Sequence, residues 1–263
     1  MSWGILYGIG VGPGDPELLT HKASRILASV PVIFYPACGG KAQGFALDIL
    51  QLACGHPGDQ APRRDGSQTA PTSLVRSPSV LERCRPLPIT MVREPDGERL
   101  HWTRAAEVVG EVLQGGQDAA FITEGDPLVY STFVYLRSAL AEHFPEARVE
   151  VVPGISSVTA AAARAGFPLA VADERIAILP ATFDPQFLDQ ALEAFDTIVL
   201  VKVSRVLDHV IGILERRGLL ERAVLVERCG TPSERLVSDL VSLRGQHVDY
   251  FSLLLVRNQR AES

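Results

Sequence analysis

Phe121-Ile-Thr-Glu-Gly-Asp-Pro-Leu-Val-Tyr130 decides how this chain is read. Ala119, Ala120, Phe121 and Ile122 form a continuous apolar run, the mark of a strand buried on both faces. The run breaks at Gly125-Asp126-Pro127. Gly125 admits close approach to the backbone and a positive φ. Pro127 fixes φ and has no N–H to extend a ladder. Ser131 can cap the apolar helix that follows. A strand that stops at Gly-Asp-Pro and feeds a helix opens a crevice at its carboxyl end, where open α/β sheets take their ligands. The same residues also suit an ordinary strand–turn–helix, since Asp-Pro turns are common.

Outward from this stretch, 263 residues suit two domains. A hydrophobic content of 46% with 21% charge is globular. A net charge of −6 offers no basic face, so no nucleic acid partner is expected. No apolar run reaches the ~20 residues of a spanning helix, so no membrane partner is expected either. Met1 to Tyr7 lacks the basic and apolar regions of a signal peptide, and a cytoplasmic enzyme is the expectation. Cys38, Cys54, Cys84 and Cys229 are widely separated, with no Cys-x-x-Cys and no His-Glu-x-x-His. No metal site is expected, and reduced thiols fit a reducing compartment.

Ile5 to Ile9 reads as a first strand running into Gly8-Ile-Gly-Val-Gly-Pro-Gly-Asp15. A dinucleotide fingerprint needs G-x-G-x-x-G. The third place falls on Pro13, Asp15 or Glu17 in the three possible registers, so none fits. No Gly-Lys-Ser/Thr follows, which excludes a Walker loop. What remains is a loop nearly free of side chains, suited either to a ligand or to a tight turn. Asp15 can cap a helix over Pro16 to Ala28. Strands are expected at Val30 to Tyr35 and Leu87 to Val92, and helices at Ala42 to Leu52 and Trp102 to Gln114. Between them, Cys54 to Ser79 is rich in Gly, Pro, Ser, Thr and Arg and reads as a long exposed loop, with Arg63, Arg64 and Arg76 free for an acidic substrate.

After the central turn the alternation continues. A helix is expected over Ser131 to Glu142, then a strand over Arg148 to Val152. Pro153-Gly-Ile-Ser-Ser157 then leads into a helix from Val158 to Ala165, with Ser156 or Ser157 as its cap. Further strands follow at Ile176 to Pro180, Thr197 to Val201, Ala223 to Val226 and Phe251 to Val256. Helices are expected at Gln186 to Ala194 and Arg205 to Arg216. Such alternation favours an α/β protein with two sheets.

Three motifs stand in order: Gly8-Ile-Gly-Val-Gly-Pro-Gly-Asp-Pro-Glu-Leu-Leu-Thr20, Gly125-Asp-Pro-Leu-Val-Tyr130 and Pro153-Gly-Ile-Ser-Ser157. Together they resemble the tetrapyrrole (corrin/porphyrin) methylase family over nearly the whole chain. Within that family, Tyr7 to Lys22, Thr123-Glu-Gly-Asp-Pro127 with Phe133-Val-Tyr-Leu136, and Val199-Leu-Val-Lys-Val203 are most similar to the precorrin-2 C(20)-methyltransferases. The loop over residues 55–80 departs from the common pattern.

The resemblance implies two α/β domains, residues 1–127 and 128–263, with a cofactor cleft between them. It implies S-adenosylmethionine as cofactor, a tetrapyrrole substrate (precorrin-2 or cobalt-factor II) and a homodimer. Pro13 would line the cofactor site from the first loop, and Gly125, Asp126 and Val129 from the central turn. Tyr130, Ser131 and Thr132 would stand nearby. Ser156 and Ser157 would come from the Pro-Gly loop, Lys202 from the end of its strand, Ala181 and Thr182 from another, and Gly230 from the last loop. A cation beside a sulfonium is unfavourable unless Lys202 points away or meets a substrate carboxylate. No acid or base is assigned. Asp126 suits cofactor orientation or turn formation; Glu124 suits proton transfer or plain solvation; His21 suits the site or the surface.

Overall fold

β1 (Ile5–Gly10) lies between β4 (Ala119–Thr123) and β5 (Arg148–Val152), parallel to both, in the computed structural model of the chain. The structure describes residues 2–38, 44–54, 78–89, 95–181 and 185–258. β2 (Val32–Cys38) and β3 (Cys84–Ile89) extend the sheet, giving the order β3-β2-β4-β1-β5 with every pair parallel. Parallel neighbours require crossovers. These are α1 (His21–Ser29), α2 (Phe45–Cys54), the short α3 (Pro78–Glu82), α4 (Pro95–Gln114) and α5 (Phe133–His143).

Side-chain alternation along the strands sorts the core into two layers. Ile9, Ala120 and Ile122 pack on one face with Ala23, Leu27, Ile49 and Leu50 of α1 and α2. Leu6 and Phe121 pack on the other with Val109, Leu113, Phe133 and Leu136 of α4 and α5. Gly8 belongs to this second face. A Cβ there would sit 2.1 Å from the Phe133 ring, so glycine leaves the groove that seats the aromatic side chain.

The chain divides after Ser156. The expected boundary after Pro127 is displaced because β5 pairs with β1 from Ile5↔Arg148 to Ile9↔Val152 and so keeps α5 and β5 in the first unit. The second unit comprises α6 (Ser157–Ala165), β6 (Ile176–Pro180), α7 (Pro185–Ala194), β7 (Thr197–Val201), α8 (Leu207–Arg216), β8 (Ala223–Glu227), β9 (Arg235–Val237) and β10 (Ser252–Arg257). Its sheet order is β6-β7-β10-β8-β9. β6 and β7 are parallel, while β10 runs antiparallel to both β7 and β8. Leu200, Leu225 and Leu254 pack with Leu192 of α7 and Ile211 and Leu214 of α8. α6 lies against β8 and β10.

Several elements differ from their sequence-based limits. Asp15 caps only a 3-10 turn over Pro16–Leu18, accepting from the Glu17 N–H at 2.8 Å. α1 starts afresh behind Thr20, whose hydroxyl accepts from Ala23 N–H at 3.1 Å. β2 runs on through Pro36, because β4 pairs only with Val32, Ile33 and Phe34, which leaves the proline nitrogen with no strand to serve on that side. Of the stretch read as a long loop, residues 55–77 lie outside the described residues. So do Arg63, Arg64, Arg76 and Thr182.

Gly8→Ala tests the seat for Phe133. Overpacking of this kind costs about 1–3 kcal/mol. Denaturant unfolding should show that loss, and adding Phe133→Leu should recover much of it. An unchanged midpoint in the single variant would mean that the ring has room to move.

Candidate functional site

Three neighbouring parallel strands, β4, β1 and β5, end at one edge of the first sheet. The Val11 N–H donates to the Thr123 carbonyl at 3.0 Å, and Gly125 N–H donates to the Gly12 carbonyl at 2.8 Å. This pairing carries the loops after β1 and β4 past the end of the sheet, with φ of 85° at Gly12 and 65° at Gly125. A Cβ on Gly10 would lie 2.4 Å from the Gly125 carbonyl oxygen and 2.7 Å from the Gly154 Cα. A Cβ on Gly154 would lie 2.1 Å from that same oxygen. The glycines after β1 are therefore accounted for by backbone packing against their neighbours as much as by any ligand.

Asp126 fastens this junction. One carboxylate oxygen accepts from the Leu128 N–H at 2.9 Å, which closes the turn. The other accepts from the Gly154 N–H at 3.0 Å, which ties the turn to the Pro-Gly loop. Ser131 is buried, its hydroxyl 2.9 Å from that of Thr123. It also accepts from the Phe133 N–H at 3.1 Å, so it caps α5 from one residue before the helix boundary residue Thr132. Pro13 is buried in the first loop. Ser156 follows Gly154 by two residues.

The surface beside these loops is unusual for a solvated turn. Leu128, Val129, Tyr130 and Ile155 are all exposed. Tyr130 holds φ of 52°, a left-handed conformation that costs a non-glycine residue about 1 kcal/mol or more. Residues 5–20, 119–136 and 149–163 contain no Lys or Arg. Glu124 is open to solvent at its residue surface. Even so, the protein massed around its carboxyl pushes it above the usual carboxylate range, against a backbone hydrogen bond that pulls it down.

The second unit has a comparable edge. β6, β7 and β8 all point the same way, so the residues that follow them, Ala181, Lys202 and Arg228, gather at one end of the sheet. The Ala181 N–H donates to the Val201 carbonyl at 2.8 Å, and the Arg228 N–H donates to the Phe251 carbonyl at 2.8 Å. Lys202 and Arg228 both adopt left-handed backbones, φ 59° and 48°. One strand, β10, separates β7 from β8, which places the backbones of the two residues on the order of 10 Å apart along the edge. Gly230, φ 76°, donates its N–H to a Glu234 carboxylate oxygen at 2.8 Å.

Pro13, Gly125, Asp126, Val129, Tyr130, Ser131, Thr132 and Ser156 thus lie on or beside one loop edge of the first unit, and Ala181, Lys202 and Gly230 at one edge of the second sheet. Ser157 opens α6. Sequence reading missed Arg228 and Glu234. Arg228 left no signal, because left-handed φ at an arginine is invisible in a sequence. Among the described residues no group of three His, Cys, Asp or Glu could hold a metal ion, and no helix is long and apolar enough to cross a membrane.

Comparison with known proteins bears on this geometry. The chain is 32% identical to a precorrin-2 C(20)-methyltransferase of Sinorhizobium sp over 96% of its own length and 95% of that protein's. It is 31% identical to the cobalt-precorrin-2 C(20)-methyltransferase of Salmonella typhimurium over 97% of each. Its fold matches the uroporphyrin-III C-methyltransferase of Thermus thermophilus, solved with S-adenyl homocysteine, at a TM-score of 0.59 and 22% identity, covering 97% of both chains. Residues 5–243 match the Tetrapyrrole (Corrin/Porphyrin) Methylases as a family. Full-length similarity, the three glycine-bearing motifs and the two α/β units agree, and the chain belongs to the tetrapyrrole (corrin/porphyrin) methylases.

Proposed function

We propose that the chain is an S-adenosylmethionine-dependent C-methyltransferase of cobalamin biosynthesis, acting on precorrin-2 or cobalt-factor II at ring carbon C(20). The names and near-complete coverage of its relatives support the substrate class. The observation that carries the reading is the junction of Gly10, Gly125 and Gly154, where backbone and small side chains from three strand ends meet beside exposed apolar residues. A homodimer is the assembly that the resemblance implies, and the cytoplasm is the expected location.

The residues present suit the cofactor. Its sulfonium is cationic, and the loops of the first unit offer Glu124, Asp126 and backbone groups with no Lys or Arg among them. Pro13, Gly125, Asp126, Val129, Tyr130, Ser131, Thr132 and Ser156 are the candidate cofactor contacts of the first unit, and Ser157, Ala181, Lys202 and Gly230 those of the second. When bound, S-adenosylmethionine supplies an electrophilic methyl group that an electron-rich ring carbon can take directly. The protein's task is then positioning and exclusion of water, which together can supply several kcal/mol of a barrier. Exposed Leu128, Val129 and Ile155 give an apolar surface for a flat macrocycle. Lys202 suits a substrate carboxylate. Glu124, its carboxyl raised by the protein massed around it, is the group of the turn best suited to accept and release a proton.

Incubation with methyl-13C-labelled cofactor and each tetrapyrrole in turn, read by NMR, should place label on C(20) of one of them. Label on a different carbon would reassign the position, and no label on either would reject the reading. Asp126→Ala removes the acceptor for both the Leu128 and Gly154 N–H groups. It should weaken cofactor binding by about tenfold in calorimetry, with circular dichroism unchanged. Unaltered affinity would remove Asp126 from the site.

A further inference from the structure

Glu234 does more than end the last loop of the second unit. Its side chain is only 9% exposed. One carboxylate oxygen accepts the Gly230 N–H at 2.8 Å. The same carboxylate receives a forked pair from Arg164: Nε at 2.7 and 3.0 Å to the two oxygens, and a terminal nitrogen at 2.5 Å to Oε1. Burial alone would raise this carboxyl. The Arg164 guanidinium and the Gly230 N–H outweigh burial and hold it below the ordinary range.

Between Arg228 and Glu234 the loop closes on itself through short-range bonds. The Thr231 N–H and hydroxyl both donate to the Arg228 carbonyl, at 3.1 and 2.8 Å, and the Glu234 N–H donates to Thr231 at 3.0 Å. The Arg164 fork, by contrast, joins residues 70 positions apart in the chain. Arg164 sits in the last turn of α6, and Ser157 is the first residue of that helix. Seven residues make almost two full turns, so the two positions share a side of the helix, roughly 10 Å apart along its axis. A nine-residue helix moves as a rod. Whatever fixes Arg164 therefore fixes Ser157.

We infer that Arg164 and Glu234 form a clasp that sets Ser157 and Gly230 in register, making both of them positioning residues for cofactor binding. The inference rests on the cofactor reading above. Neither clasp residue needs to touch the cofactor. The bidentate geometry favours arginine, since lysine offers a point charge without the planar fork.

The test is calorimetric titration with S-adenosylhomocysteine of the unmodified chain, Arg164→Met, Glu234→Gln, the double variant and Arg164→Lys. Arg164 is 55% exposed, so its methionine variant should fold. Each single variant should lose about tenfold in affinity, as expected for one charge-assisted bond. The double variant should lose no more than the weaker single, and Arg164→Lys should recover part of the loss. Unchanged affinity in Arg164→Met, even with a lowered melting temperature, would overturn the clasp and leave the cofactor reading intact. So would independent, additive losses. Failure of the unmodified chain to bind S-adenosylhomocysteine would overturn both.

Discussion

Backbone packed against backbone governs the first unit. Gly10, Gly125 and Gly154 approach so closely that a single methyl group on Gly10 or Gly154 would overlap a main-chain atom of another strand end. Burying main chain in this way is tolerable only if its polar groups find partners. Here they do. The Gly125 N–H reaches Gly12, and the Gly154 N–H reaches Asp126. A carboxylate that accepts two backbone N–H groups from different loops replaces the ladder that the strands leave behind. The site-bearing loops are therefore an extension of the sheet by other means, and their shape is inherited from its register.

The second unit solves the same problem with charge. Its loop edge holds Lys202 and Arg228 in left-handed conformations, each at the end of a strand. Two of the four described non-glycine residues with positive φ lie here, and a third, Tyr130, lies in the central turn of the first unit. Such conformations persist when surrounding contacts over-determine them. The Phe251 carbonyl pins the Arg228 backbone, and Asp249 holds its guanidinium at 2.7 Å. The site-bearing loops of the first unit carry no Lys or Arg, whereas the loop edge of the second unit carries two cations.

Much of the architecture could be read from residues alone. β4, β5, β6 and β7 were legible to the residue, β4, β6 and β7 as short apolar runs and β5 as valines alternating with Arg148 and Glu150 before Pro153. β9 was not, since three partly exposed residues have no period to detect and owe their form to pairing with β8. The start of α1 was misplaced because Asp-Pro-Glu and Thr-His-Lys-Ala both offer a cap, and only the hydrogen bonds choose. The domain boundary was displaced for a related reason: no local feature announces that Arg148 to Val152 will return to β1. The central turn could be picked out, yet one partner of Asp126 lies 28 residues away. The need for glycine at position 8 comes from an aromatic ring on a helix 125 positions downstream.

The strand order β3-β2-β4-β1-β5 also has a consequence for synthesis. β1 is made before either of its neighbours, both of which come from beyond residue 118. While more than a hundred further residues are made, its amide and carbonyl rows have no mate, and the same row of groups in any other nascent chain could engage them. Glycine at positions 8 and 10 makes that segment a poor template for foreign pairing, because it weakens an isolated strand. The glycines that seat the Phe133 ring and let three loops converge in the finished protein thus also shield the unfinished one.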